Sequence, residues 1–518
     1  MPPSRSPSTR PAHLILLAAL GLSGCIRLGP DFQPPAEEWS KTWDSPALEQ
    51  SSQRGANPDL RQWWHIFRDP VLDKLITQAD AYNSSLRIAG LNVMESRAQL
   101  GIAQSGLYPQ LQQASADSLY VKRHQYGGNN PKDNNFWQHS AAFDIGWELD
   151  FWGRFSRAIE SADASYFAAQ ANYEDVLVLV RAQVADAYFS LRTTDARLRV
   201  ARENAKQQKR NFEITEKLFN SGQDAELDLQ QAKTQYLGTL ATIPGLLDQL
   251  QRTRNALAVL IGQPPGTLPQ VVDNESLIPL VDRAVLQDVP ATLLLRRPDV
   301  RAAELNVAAQ GALIGVAESD FYPSLTLLGS IVWSTDTLHG TSSSLDLVGG
   351  PSLRWNVFDH GQIANNVRVQ DARLQQLIEA YRDKVRQAAR EADDAANGLI
   401  QSLESERILR DAGGAAERSL VLASVQFREG YADFQRVLDA QRALLQQQDN
   451  YLLARGNAVS NVIALYKALG GGWYSALPRV DPATRQLMEK RTDWGNMLDE
   501  PNAALPAYPL PDKETSHE

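Results

Sequence analysis

The sequence predicts a mainly α-helical chain with an internal duplication, each half carrying one β-hairpin of membrane type. Three observations predict this class. Two proline-free heptad runs each extend over about 65 residues, a constant offset lays one half of the chain on the other, and four short stretches alternate apolar and polar side chains with period two. Past the N-terminal leader no run reaches the roughly 18 apolar residues of a membrane helix, so any crossing of a bilayer falls to strands.

The clearest stretch is 363–427. Leu374, Ile378, Tyr381, Val385, Ala388, Ala392, Ala395 and Leu399 recur at alternating steps of four and three, the seam of a left-handed coiled coil. At ~1.5 Å per residue such a helix reaches ~100 Å, far beyond a usual globular helix. In 156–219, Leu177, Val180, Val184, Ala187 and Leu191 precede Val385, Ala388, Ala392, Ala395 and Leu399 by 208 positions. The same offset relates Trp147 to Trp355, Gly153 to Gly361, Phe219 to Phe427, Gly222 to Gly430, Ala232 to Ala440 and Gly262 to Gly470. Ahead of the hairpins the offset is 214, where Gly101, Ala103, Ser105, Tyr108, Pro109 and Leu111 match Gly315, Ala317, Ser319, Tyr322, Pro323 and Leu325.

Each half therefore reads helix, hairpin, very long helix, glycine turn, return helix. The expected division is a leader at 1–24, an extended N-terminal segment at 25–70, a first repeat at 71–270, a connection at 271–290, a second repeat at 291–472 and a loosely ordered tail at 473–518. In the first repeat a leading helix spans 71–105, the hairpin 111–151, the long helix 156–219 and the return helix 225–261. The second repeat places its hairpin at 324–358, its long helix at 363–427 and its return helix at 434–469. A leading and a return helix laid end to end nearly equal one long helix, so each repeat offers two columns of similar height. Trp63, Trp64 and Phe67 are candidates to pin the N-terminal segment. Arg296-Arg297-Pro298-Asp299 reads as a structural helix start, with proline at the first position and an acid near the positive end.

In the first hairpin Ala141, Phe143, Ile145, Trp147, Leu149 and Phe151 alternate with Ser140, Ala142, Asp144, Gly146, Glu148 and Asp150, starting at His139. In the second, Leu325, Leu327, Ile331 and Trp333 share one face, as do Leu353, Trp355 and Val357 on the next strand. This alternation fits a wall with lipid outside and water inside, yet four strands cannot close, and an open edge in hydrocarbon leaves backbone groups unsatisfied. Either several copies contribute to one barrel, or two ordinary hairpins rest on a soluble core. Trp147 and Trp355 are candidates for aromatic girdles or for core positions. Asp144, Glu148 and Asp150 would make a lumen acidic.

A formal charge of −10 argues against a nucleic-acid surface. The single cysteine, Cys25, excludes internal disulfides and multi-cysteine metal or redox motifs. Arg5 and Arg10, the apolar stretch 13–22 and Leu22-Ser23-Gly24-Cys25 read as a secretory signal, and the last four residues look like a bacterial lipobox. Cleavage before Cys25 removes both arginines and leaves a charge of −12 on a lipid-modified chain. No catalytic, phosphate-binding or metal-ligand spacing stands out, so no enzyme activity, metal or cofactor is expected. The methionines are too scattered for a soft-metal relay.

The lipobox, Gly29-Pro30-Asp31-Phe32-Gln33-Pro34-Pro35, Trp147-Glu148-Leu149-Asp150-Phe151-Trp152-Gly153-Arg154, Leu294-Leu295-Arg296-Arg297-Pro298-Asp299-Val300 and Leu438-Asp439-Ala440-Gln441-Arg442 together resemble the outer membrane factor family. These are the TolC-like exit ducts of tripartite efflux systems, and the lipobox points to the NodT type. The resemblance covers essentially the whole mature chain. It implies a homotrimer in which three chains supply a 12-stranded β-barrel in the outer membrane and a 12-helix α-barrel in the periplasm. A periplasmic adaptor (membrane fusion) protein, an inner-membrane RND pump and outer-membrane lipid are the implied partners, with lipidation at Cys25.

The resemblance also places a periplasmic gate at Asp439 and Arg442, whose spacing of three puts them on one helix face. An ordinary solvated pair is the alternative. The first repeat has Gln231 and Thr234 at the matching positions. Adaptor docking is implied at the tips around Gly222 and Gly430, with Tyr431 either an exposed aromatic there or a core residue. The expected function is passive export through the outer membrane. A non-conducting coiled-coil spacer or a type I secretion duct remains as an alternative.

Overall fold

The computed structural model describes residues 26–35, 48, 60–124, 133–266, 268, 278–288, 291–337, 343–473, 480–495 and 497–498. Cys25, the leader and most of the tail prolines lie outside the described residues. The chain divides into two compact units, one of Met1–Ala36, Met94–Ala168 and Ala303–Tyr381, the other of Glu37–Val93, Ala169–Ala302 and Arg382–Glu518. In chain order the elements are α1 (Pro70–Tyr82), α2 (Ser84–Ser105), β1 (Leu111–His124), β2 (Asp133–Glu148), α3 (Arg154–Asn220), α4 (Glu226–Leu260), α5 (Pro298–Glu318), β3 (Ser324–Asp336), β4 (Ser343–Arg354), α6 (Gln362–Arg428), α7 (Phe434–Ala468) and α8 (Pro482–Arg491).

The duplication shows in where the helices stop. The long helices α3 and α6 hold 67 residues each and the return helices α4 and α7 hold 35 each. All four end in the same backbone cap. Gln223 N–H reaches the Leu218 carbonyl, Tyr431 N–H that of Gln426, Gln263 N–H that of Ala258 and Gly471 N–H that of Tyr466. This cap needs a left-handed residue, and glycine fills that place at both tips, with φ of 73° at Gly222 and 76° at Gly430.

The heptad seams are buried as their spacing requires. Leu177, Val180, Val184, Leu191 and Leu198 on α3 are buried, as are Val385, Ala388, Ala392, Ala395 and Leu399 on α6. In the second unit the α3 seam packs into one core with Leu72, Leu75 and Ile76 of α1, Leu257 and Ile261 at the end of α4, and Val459 and Ile463 of α7. Trp63 and Trp64 are buried in the same core, and Trp63 stacks on Tyr466 at 5.3 Å.

The leading helix expected over 71–105 is in fact two. Asn83 is extended, with ψ of 126°, and its Oδ1 accepts from Ser85 and Leu86 N–H, so the asparagine ends α1 and caps α2. Its Nδ2 donates to the Leu260 carbonyl in the last turn of α4. The equivalent residue of the second repeat, Arg297, donates to the Ala468 carbonyl in the last turn of α7. The tail also departs from expectation. Asp481 accepts from Thr484 N–H and Pro482 opens α8, so 482–491 is helical rather than loosely ordered. Asp481 also pairs with Arg87, and its contacts with Thr484 and Arg87 hold its carboxyl below the usual carboxylate range.

The four strands form one antiparallel sheet in the order β1-β2-β3-β4. β2 pairs with β3, so the two repeats share a single sheet instead of carrying separate hairpins. β2 begins at Asp133, earlier than the expected His139. β4 ends at Arg354, which leaves Trp355 and Val357 beyond it. The Trp355 indole N–H instead donates to the Phe321 carbonyl, as the Trp147 indole does to the Leu107 carbonyl, tying each strand end to its Tyr-Pro turn. In the same unit the buried Arg157 holds the N-terminal segment, donating to the carbonyls of Leu28 and Gly29 and to Asp31 Oδ1 at 2.8 Å.

Candidate channel wall, gate and tips

The sheet register gathers the aromatic and many of the large aliphatic side chains on one face. Phe143 lies opposite Ile331, Trp147 opposite Leu327 and Ala141 opposite Trp333. Ile331 in turn faces Leu347 and Trp333 faces Leu345. All these large side chains are exposed in the single chain. Trp137, stacked on His139 and 5.4 Å from Tyr120, marks one end of this face, and Trp147 marks the other. Ten residues along a strand span ~33 Å, which a tilt of ~40° reduces to ~25 Å, the height of an outer-membrane apolar band. Among the described residues β1 and β4 each present an unpaired edge.

The opposite face is mixed, with Leu328, Val332 and Val348 beside Asp144 and Ser330, and it is not simply acidic. Asp144 accepts from the Ser330 hydroxyl at 2.6 Å. Asp150, expected as a lumen charge, accepts from Phe155 and Ser156 N–H and is the cap of α3, since the start of a 67-residue helix needs an acceptor. Arg154 lies 3.9 Å from Glu148 and 3.4 Å from Asp320, and with Arg354 it brings positive charge to the cleft where those acids gather.

Asp439 and Arg442 do meet. Arg442 Nη1 donates to Asp439 Oδ1 at 2.9 Å, and its Nε donates to Gln235 Oε1 on α4 at 3.0 Å. Gln435 Nε2 donates to the same Asp439 oxygen. The two return helices are thus bridged across the repeats, beside a small core of Ala232, Phe434, Val437 and Leu438. Both charges are more than half exposed, and such a pair is worth about 0–1 kcal/mol. Gln235 was not legible in the sequence, because no spacing rule marks a residue whose role depends on how two helices rotate against each other.

Several buried amide atoms at this end have no hydrogen-bond partner among the described residues. Gln208 on α3 is 3% exposed and neither its oxygen nor its nitrogen has a hydrogen-bond partner. Gln441 is 7% exposed with an unpaired oxygen, and the amide oxygens of Gln231 and Gln435 are likewise buried and unpaired. Each buried amide group left unmet costs about 1–3 kcal/mol. The tips themselves are open. Tyr431 is 84% exposed, and a side-chain carbon added at Gly222 or Gly430 would touch nothing.

Arg297, read from sequence as part of a helix start, is a buried hub. It forms a two-pronged pair with Asp299 at 3.0 Å, reaches Glu391 on α6 at 3.0 Å and donates to Ala468. Nearby on α3, burial raises the Asp175 carboxyl to about 6 and that of Glu174 to about 7, the latter against the pull of Arg301. No group of three or more His, Cys, Asp or Glu that could hold a metal occurs among the described residues. Nor is any described helix long and apolar enough to cross a membrane.

The family described as "Outer membrane efflux protein" matches residues 75–263 and 289–471, the two repeats. The chain is 30% identical over 470 residues to the "Probable outer membrane lipoprotein SilC" of Salmonella typhimurium, covering 87% of this chain and 96% of that protein. It is also 30% identical to the "Pyoverdine export outer membrane protein OpmQ" of Pseudomonas putida, over 91% of this chain and 99% of that one. Among solved structures the outer-membrane channel OprN superimposes with a TM-score of 0.79 at 31% identity, covering 86% of this chain and 99% of OprN.

Proposed function

Because the chain belongs to the outer membrane efflux protein family, we propose that three copies close into the exit duct of a tripartite RND-type system, passive itself and emptied by an inner-membrane pump through a periplasmic adaptor. The observation that carries this reading is the four-stranded sheet with one apolar face and two unpaired edges. An unpaired edge in hydrocarbon costs several kcal/mol per backbone group. Pairing β1 of one copy with β4 of the next removes both edges, and the antiparallel order is kept around the ring. Three copies give twelve strands, within the range of bacterial barrels.

In this reading Cys25 carries lipid in the outer membrane, and the Arg157 clamp on residues 28–31 keeps the attachment near the foot of the barrel. Asp439, Arg442 and Gln235 form the periplasmic gate, while the turns at Gly222 and Gly430 with Tyr431 receive the adaptor. The test is a cysteine pair at Ala116→Cys and Leu347→Cys in a Cys25→Ser background, on the apolar faces of β1 and β4. Oxidation in membranes should give dimers and trimers and no higher ladder, and the purified protein should conduct in planar bilayers. A monomer in detergent that never forms the bond and never conducts would leave a non-conducting spacer.

A further inference from the structure

The two faces of the sheet sort their charges. The register puts Asp117, Asp144, Glu148, Asp336 and Asp346 on the face opposite Phe143 and Trp147, together with Arg123 and Arg354. On the aromatic face the strands carry only Lys122, His124, Asp133 and His139 as charged or histidine residues. His124 lies opposite Asp133, whereas Lys122 faces Asn135 and His139 faces Ser118, so the last two cations have no acid across from them. Both sit toward the hairpin-turn end. At the other end of the same face the rows Trp147–Leu327–Pro351 and Leu325–Leu353 hold no ionisable side chain. The aromatic face is therefore basic at one edge and neutral at the other.

The basic edge is also preorganised. Tyr120 and Trp137 lie between Lys122 and His139, with ring centroids 5.4 Å apart and both rings about half exposed. The Trp137 ring lies parallel to that of His139 at 6.2 Å, and its main chain is held from β3 by Thr337, whose N–H donates to the Trp137 carbonyl and whose Oγ1 accepts from the Trp137 N–H. Ser118 Oγ and His139 Nδ1 are bonded at 3.0 Å, which fixes the imidazole and leaves Nε2 without a partner among the described residues. Lys122 is exposed and likewise has no partner among them. Four residues along β1 separate Lys122 from Ser118, a span of ~13 Å.

A girdle of tryptophan and tyrosine marks a headgroup level without needing charge, so the cations ask for a further reason. An ammonium beside hydrocarbon is costly unless an anion meets it, and phosphate is the anion that lipid headgroups offer. Lys122 and His139 Nε2 supply two donors for phosphate, and the two rings between them offer the flat apolar surface on which a sugar face packs. A glycerophospholipid brings a single phosphate on a flexible stem. A phosphorylated disaccharide brings phosphates at opposite ends of a rigid body, which matches cations set apart by two aromatic rings. We propose that Lys122, Tyr120, Trp137 and His139 form a site for the phosphorylated sugar headgroup of an outer-leaflet glycolipid. The proposal rests on the channel reading, which turns this face to lipid and the hairpin turns outward.

The test uses the full-length protein purified in detergent, with native mass spectrometry following bound lipid. Bisphosphorylated lipid A should bind about tenfold or more tightly than phosphatidylglycerol, and phosphatidylethanolamine should bind most weakly. Lys122→Gln plus His139→Gln should weaken lipid A binding about tenfold or more, and Lys122→Gln alone about threefold. Asp346→Asn, on the opposite face, should leave it unchanged. Phosphatidylglycerol bound as tightly as lipid A, or lipid A bound equally well by the double variant, overturns the proposal. Conductance and the cysteine link between positions 116 and 347 report on the channel reading separately. A linked, conducting protein with no preference for lipid A overturns the headgroup site alone, and failure to link and conduct overturns the channel reading.

Discussion

The two repeats share a backbone and differ in chemistry at the points where that backbone is held together. Asn83 and Arg297 occupy the same place and each donates to the last turn of its own return helix, but the first is neutral and the second carries a buried charge with two acids around it. Glu174 in the first repeat stands where the second has Arg382, and Gln231 and Thr234 where the second has Asp439 and Arg442. Pro244 lies inside the continuous helix α4 where α7 has Leu452, a difference the periodicity of the helix conceals. Seams and caps are duplicated because they define the rods. Polar positions diverge because each rod faces different neighbours.

The largest way to break this comparison is at the two anchors. Arg297→Ala leaves Asp299, Glu391 and the Ala468 carbonyl without their donor and should destabilise by about 3 kcal/mol or more. Asn83→Ala, losing a cap and one neutral bond, should cost about 1–2 kcal/mol. Thermal unfolding of the two variants side by side checks the order, and equal losses would mean the charge adds nothing.

A second effect of nearly that size depends on pH. Burial raises the Glu174 carboxyl to about 7, so its contribution to stability is complete below its unfolded value and is lost as pH rises through about 7. Stability should therefore decline between about pH 5 and 8 by up to ~3 kcal/mol from this group. Glu174→Gln should flatten that decline and leave the protein more stable than the unaltered chain at pH 8. A steeper decline in the variant would contradict the burial argument.

The charges at the proposed gate positions sharpen the comparison with less effect on stability. Asp439→Ala plus Arg442→Ala should change unfolding by under about 1 kcal/mol, as exposed pairs do, yet raise single-channel openings at least tenfold. Gln231→Ala plus Thr234→Ala, the same change in the first repeat, should leave openings unaltered. The smallest effect is expected at the tips. Tyr431→Ala should shift stability by no more than about 0.5 kcal/mol, and its effect should appear only as weaker cross-linking to the adaptor. Gln223, its counterpart, should be silent in both measurements.

Much of this was legible in the chain because it is local. The seam from Leu177 to Leu198, the glycines at 222 and 430 and the alternation of Phe143, Ile145 and Trp147 each follow from a period or from one residue's backbone preference. Element ends were less legible where a side chain overrides the period. Asn83 breaks a helical pattern by capping, Asp150 leaves a strand to start a helix, and Trp355 passes the end of β4 to bond with Phe321. At the proposed gate the sequence offered Asp439 and Arg442 but not Gln235, whose part depends on how α4 and α7 face each other.

By itself the sequence determined that the chain is two copies of one plan, how long the rods are, where they turn, and that strands alternate as a membrane wall does. It could do so because helix and strand periods are written in neighbouring residues. Only the tertiary structure decided that β2 joins β3 to make one sheet across the repeats, that Arg297 is a buried hub, and that α7 lies close against α3 at Gly456. Those outcomes depend on which faces meet after folding, and contacts between residues hundreds of positions apart leave no period in the chain.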